Sequence, residues 1–356
     1  METKWKFYTT SIEAWDAMLS SISNAKHSID LEQYIFSNDE IGSKFIDLFK
    51  LKASEGVKVR ILCDTVGSFP IYRSSLQTEL AIRGIELHFF NSIVPWSPHN
   101  ESLWYFRNHR KLLVIDGQIG FTGGVCISLE MKSWRESHIR IEGPVVSEMS
   151  REFELMWYKQ YRKPIYYLKS KKPVEVKSFS YLTNSPLPNK RFIYYELISQ
   201  IKKAEHYVYL TTPYFLPDYR LIRALKKAVK RGVKIKILLP IFSDNILVRF
   251  GSASYFDLML DAGVRIYRYK TMIHGKTMVV DGRWSSIGSL NLDNISLRYN
   301  FEANIVSTNK AFTFELEKQF IDDLVDSDEL LLPIWRQRPW WRKYFEACAW
   351  LVRKLL

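Results

Sequence analysis

Cysteine is scarce in this chain. Three stand among 356 residues, at Cys63, Cys126 and Cys348. They show no CxxC or metal-ligand spacing and their count is odd. The count argues against a disulfide framework, no metal site is expected, and a reducing, intracellular setting is. Long hydrophobic runs are missing too. No stretch of about 18 or more uncharged apolar residues occurs. The opening METKWKFYTTSIEAWDAM also lacks the uninterrupted apolar core of a signal peptide, so any membrane contact is expected to be peripheral. Acidic side chains are in deficit, 38 against 51 lysines and arginines, leaving a formal charge of +13. That excess points to a polyanionic partner, nucleic acid or an anionic membrane surface, and charge does not choose between them. Aromatic residues are plentiful. At 15% with 11 tryptophans, they lean the choice toward the membrane, because amphipathic rings suit the boundary between headgroups and acyl chains.

The chain repeats itself. GVKVRIL from Gly56 returns as GVKIKIL from Gly232, an offset of 176, and GIELHFF from Gly84 as GVRIYRY from Gly263, an offset of 179. Tyr34 in LEQYIFSND answers Tyr214 in LTTPYFLPD. Each half reads as strands alternating with amphipathic helices. The expected class is therefore a duplicated α/β fold, two βαβ-type domains with mainly parallel sheets around one active site. The expected division is 1–170 for the first half, 171–190 for a linker rich in proline, serine and charge, 191–330 for the second half and 331–356 for a tail.

Both halves then carry HxKxxxxDG. His109, Lys111, Asp116, Gly117 and Gly123 match His274, Lys276, Asp281, Gly282 and Gly288 at a constant offset of 165, and Glu136 matches Glu302 at 166. One such string is weak; two with matching downstream glycines and carboxylates are strong. Residues two apart on an extended chain project from one face, so each histidine stands beside its lysine. An imidazole next to an ammonium suits a phosphodiester: lysine neutralises nonbridging oxygens while histidine attacks phosphorus or passes a proton. Two lysines supply the charge a metal would bring, so no cofactor is expected. Glu136 and Glu302 are expected to take the Nδ1 proton of the histidine in their own half. His27, His88, His99 and His206 have no such context and read as ordinary surface or core histidines. His138 and Arg135 in WRESH suit a place in the site or a structural role equally well.

The duplicated motif, followed by GS or GG with Asn two residues on, resembles the phospholipase D superfamily. Ser289 and Asn291 complete the second copy; in the first, TGGVCI puts Cys126 where the amide donor Asn291 would correspond. LEQYIFSND, WRESHIRIEGPVV and GSLNLDNISLRYNFEANIV look like bacterial cardiolipin synthases, specifically a shorter type without N-terminal transmembrane helices. The resemblance implies transfer of a phosphatidyl group from phosphatidylglycerol to a phospholipid hydroxyl through a phosphohistidine at the cytoplasmic face of a bacterial membrane. It further implies His109 as nucleophile, His274 as general acid and then base, and Lys111, Lys276 and Asn291 on phosphate oxygens. Asp116 and Asp281 would hold the site and its lysines. Hydrolysis by a phospholipase D and cleavage of nucleic acid are the competing readings, although no nucleic-acid partner is expected and the oligomeric state is left open.

Two segments sit outside the repeat. NSIVPWSPHNESLWYFRN makes the first half 14 residues longer before its histidine and gathers Ile93, Val94, Trp96, Trp104, Tyr105 and Phe106; it reads as an aromatic lip for acyl chains or as an ordinary packed loop. The tail places Trp341, Tyr344, Phe345, Cys348, Val352 and Leu355 at helical spacing, flanked by Arg342, Lys343, Arg353 and Lys354. That pattern suits an interfacial amphipathic helix, or a helix packed back on the protein.

Overall fold

The two GVK runs are the central parallel strands of two separate sheets. A computed structural model describes residues 3–94, 103–159 and 178–352. The chain divides into one unit of Met1–Val174 with Asn300–Ala303 and another of Glu175–Tyr299 with Asn304–Leu356. The first runs β1 (Lys4–Thr10), α1 (Ser11–Ser23), β2 (Ser28–Gln33), α2 (Glu40–Ser54), β3 (Lys58–Asp64), α3 (Phe69–Tyr72), α4 (Leu76–Ile82) and β4 (Glu86–Phe90). It continues with β5 (Leu112–Ile115), β6 (Ile119–Gly123), β7 (Arg135–Glu142) and α5 (Val145–Lys159). Its sheet has the order β1-β7-β6-β5-β2-β3-β4.

The second unit runs β8 (Phe179–Asn184), α6 (Phe192–Lys203), β9 (Tyr207–Thr211), α7 (Tyr219–Lys230), β10 (Lys234–Pro240), α8 (Ile246–Ala253), α9 (Phe256–Asp261) and β11 (Arg265–Tyr269). Then come β12 (Thr277–Val280), β13 (Trp284–Gly288), α10 (Asn294–Arg298), β14 (Glu302–Ser307), α11 (Lys310–Val325), β15 (Ser327–Glu329), α12 (Leu332–Arg336) and α13 (Trp340–Val352). The sheet order is β15-β11-β10-β9-β12-β13-β14-β8. The first two residues of β14 belong to the first unit.

The duplicated α/β class is as expected, but the sheets are mixed rather than mainly parallel. Among the described residues, β2, β3 and β4, and β9, β10 and β11, pair in parallel. The strands that follow add antiparallel on the other side: β5 pairs with β2 and β6, and β12 with β9 and β13. Burial explains the helical faces. In α2, Ile41, Phe45, Ile46 and Phe49 fall on one stripe and are buried, each contributing about 1.5–3 kcal/mol. Asp39 caps that helix by accepting from the amides of Ile41 and Gly42, both at 3.0 Å.

Two expected boundaries shift. Phe179–Asn184 lies inside the stretch expected to be a linker, yet it forms a strand beside β14, because Phe179 and Tyr181 bury their rings and Phe179 packs on Phe312. Residues 171–177 and the boundary at 170 lie outside the described residues. The tail beginning at 331 is also not a free appendage. Trp335 is 6% exposed within the second core and packs on Phe256. Arg338 bridges Asp257 at 2.6 Å and Glu346 at 2.7 Å. No helix of the described residues is long and apolar enough to cross a membrane.

Candidate active site

The Asp-Gly of each motif is a hairpin turn. Asp116 and Gly117 have φ of 54° and 63°, Asp281 and Gly282 of 51° and 61°, the pair of positive angles that a type I′ turn demands and that aspartate and glycine tolerate best. The turns close through Gln118 N–H to Ile115 O and Arg283 N–H to Val280 O, both at 2.9 Å. Each aspartate carboxylate then ties its turn to the start of the neighbouring parallel strand. Asp116 accepts from the amides of Lys26, His27 and Ser28 at 2.7–2.9 Å. Asp281 accepts from Glu205, His206 and Tyr207 at 2.7–2.9 Å. Burial pushes both carboxyls upward, and the three amides outweigh it, so both sit below the ordinary range. Neither aspartate bonds to its lysine among the described residues; each holds the end of its strand, β5 or β12, that lies away from the histidine.

In both units the lysine folds back on its own motif. Lys111 Nζ donates to His109 O at 2.8 Å and Lys276 Nζ to His274 O at 2.6 Å. The lysines are 0% and 2% exposed, the histidines 8% and 5%. Burial lowers the Lys111 pKa, opposed by Cys126, Glu302 and Glu136.

The glutamate pairing is a correction. His109 does not take Glu136 from its own repeat; its Nδ1 lies 3.0 Å from both carboxylate oxygens of Glu302. The cause is topological. Asn108 pairs in parallel with Phe301, with His109 N–H donating to Phe301 O at 3.0 Å and Phe301 N–H to Arg107 O at 2.9 Å. These bonds set Glu302 beside the imidazole. With Nδ1–H held on the carboxylate, Nε2 is the nitrogen presented for chemistry. Glu136 is fully buried, accepts from Ser137 N–H at 3.3 Å and lies in the charge environment of Lys111.

Sequence reading missed the bed under His109. The Tyr34 ring meets the imidazole edge-on at 4.8 Å and lies 5.3 Å from Lys111 Nζ. Burial and then Asp64 push its phenol pKa far up. Asn108 donates its backbone N–H to Asp64 at 2.9 Å and its side-chain amide to Glu32 at 2.6 Å. Asp64 is fully buried, which raises its carboxyl to about 6 against Arg107 and the amides of Asn108, Val66 and Gly67. The strand registers align Glu32 with Thr211 and Asp64 with Pro240, so this acidic floor belongs to the first unit alone. The available signal was acid at the carboxyl ends of two apolar parallel strands, where α/β sheets place ligand sites, together with Asn108 standing where the second copy has the core residue Ile273.

The loops after the second hairpin strand are equivalent in the two units. Cys126 and Ile127 run beside Phe36, and Asn291 and Leu292 beside Phe215. Ser289 is 0% and Asn291 3% exposed, and Asn291 Oδ1 has no partner among the described residues. Cys126 is buried, with its carbonyl taken by Trp15 Nε1–H at 2.8 Å. Gly123 allows no side chain: a Cβ there would meet the Ser137 carbonyl and the His138 backbone and ring.

A family profile described as "Cardiolipin synthase, PLD-like domain" matches residues 18–157 and 197–324. The chain belongs to this family. Cardiolipin synthase of Listeria monocytogenes serotype 4a (strain HCC23) is 33% identical over 97% of this chain and 73% of that protein. Cardiolipin synthase of Geobacillus sp. (strain WCH70) is 32% identical over 100% and 73%. Among solved structures, phosphatidylserine synthase of Haemophilus influenzae Rd KW20 superposes with a TM-score of 0.71 at 14% identity, covering 99% of this chain and 95% of that one, which supports the fold. In this cardiolipin synthase-family chain, the two motif copies are alike in backbone and differ in what lies beneath the histidine.

Proposed function

We propose that the chain is a phospholipase D-type phosphatidyltransferase that makes cardiolipin, with both histidine segments serving one reaction on a peripheral, cytoplasmic membrane surface. His109 Nε2 attacks the phosphorus of phosphatidylglycerol while His274 gives a proton to the departing glycerol oxygen. A phosphatidyl-histidine forms and glycerol leaves. The free headgroup hydroxyl of a second phospholipid then attacks phosphorus, His274 takes its proton, and the bond to His109 breaks to release cardiolipin. Lys111, Lys276 and the Asn291 amide neutralise or bind the phosphate oxygens, whose charge grows in each transition state. Glu302 stabilises the imidazolium form of His109.

The observation that carries this reading is the buried Glu302–His109 pair with a buried lysine two residues on. It supports the assignment of His109 as nucleophile. The test is incubation with phosphatidylglycerol vesicles, with and without phosphatidylethanolamine, and mass spectrometry of the products beside His109→Ala. Cardiolipin that disappears in the variant is the expected result. Phosphatidic acid alone would replace synthase by hydrolase. No lipid product, with cleavage of DNA instead, would overturn the lipid assignment.

A further inference from the structure

Past the carboxyl end of β10 the second unit encloses a cavity of about 250 Å³, lined by Arg249, Arg268 and Arg342 together with Phe242, Phe250 and Trp335. None of these residues belongs to the His274 motif. The volume falls just below that of small-molecule sites, roughly 300–1,000 Å³, so it has room for a polar headgroup and none for two acyl chains. The guanidiniums come from three elements, α8, β11 and α13. Glu346 is the acid in the lining, and it is already paired with Arg338 at 2.7 Å. Arg268 Nε is buried with no hydrogen-bond partner among the described residues. Burial lowers the Arg268 pKa, and the neighbouring Arg342 lowers it further against the opposing Asp328. Three guanidiniums lining one cavity, one of them with a buried open donor, are a seat for a phosphate, which arginine binds in a bidentate fork.

The rim selects the kind of phosphate. Phe242 lines the cavity and is 62% exposed, and beside it Ile246 and Leu247 at the start of α8 are 61% and 53% exposed. On α13, Phe345 stacks on Phe250 at 5.3 Å, while Trp340, Trp341 and Tyr344 are exposed. A soluble phosphate makes no use of an apolar rim. A phospholipid does, with its phosphate anchored and its chains lying on apolar side chains.

We infer that this cavity seats the phosphate headgroup of an anionic phospholipid at a binding site separate from the histidine motifs. The inference stands apart from the catalytic assignment and is tested on binding. His109→Ala protein, used to suppress turnover, is floated with phosphatidylcholine vesicles containing or lacking phosphatidylglycerol. Arg268→Gln with Arg342→Gln should weaken binding to the anionic vesicles about tenfold. Removal of equal charge from α7, by Arg223→Gln with Lys227→Gln, should weaken it less than about threefold. Equal losses in the two pairs would show a diffuse charge effect and overturn the site. Arg249→Gln, at an exposed position, provides a second reading if the first pair fails to fold, and its binding must fall as well. Displacement of the vesicles by equimolar inorganic phosphate would assign the seat to a soluble anion and overturn the lipid.

Discussion

At the residue scale, the Glu302 carboxylate on His109 has a direct consequence. Glu302→Gln keeps the volume but removes the charge that supports the imidazolium. Turnover should fall by about 10²–10⁴-fold, with Michaelis constants changed far less. Steady-state kinetics measure this, and an unchanged turnover number would remove Glu302 from the mechanism. Glu136→Gln leaves the Glu302–His109 contact untouched. The residues of this centre were legible in the sequence as a set, because the duplicated spacing marks both histidines, both lysines and both glutamates. Their partnership was not. Glu136 and Glu302 stand at nearly the same distance from their histidines along the chain, and only the pairing of Asn108 with Phe301 reveals which carboxylate meets His109. Tyr34, Glu32 and Asp64 were harder to place for a different reason: acid at the ends of two parallel strands marks a ligand-binding edge, but each is a single residue in an apolar strand context and none of them points by itself to His109.

At the element scale, the motif aspartates act on the hairpin and not on the lysines. Asp281→Asn leaves a side chain with one acceptor oxygen against three amides. It should cost about 1.5–3 kcal/mol at neutral pH, toward the low end because the carboxylate is partly solvated. The sign with pH follows from the lowered pKa of Asp281. The wild-type advantage is fully present above the unfolded-state value of about 3.9 and is lost as pH falls through the still lower folded-state value. Denaturant melts of wild type and variant should therefore converge on acidification, and a gap constant from pH 7 to 3 would contradict the account. The alternation of strands and helices was legible because amphipathic periods dictate it. The antiparallel half of each sheet was less so: LLVI and TMVV are largely apolar runs that suit a parallel or an antiparallel neighbour equally, and the Asp-Gly turn decides only the hairpin partner.

At the scale of the whole molecule, the tail combines anchoring to the core with an outward aromatic face. Along α13, Glu346 and Ala349 are buried, while Trp340 is 79%, Tyr344 62% and Leu351 73% exposed. Truncation before Trp335 would remove a core side chain, whose loss alone costs about 3–5 kcal/mol, and would confuse unfolding with release. Serine at Trp340, Tyr344 and Leu351 together should instead reduce binding to anionic vesicles about tenfold with the melting temperature unchanged. Sedimentation with vesicles checks it, and full retention would deny the tail any membrane role. In the lip, Trp96 lies outside the described residues. Ile93, Val94, Trp104 and Tyr105 are exposed, and Asn91 ties the base of the segment by donating to Phe106 O at 2.9 Å.

The four residues Asn300–Ala303 belong to the first unit although the second repeat encodes them. The first half cut free of the second would thus keep its histidine and lose the carboxylate that orients it, so the two repeats cannot be separated without dismantling the His109 centre.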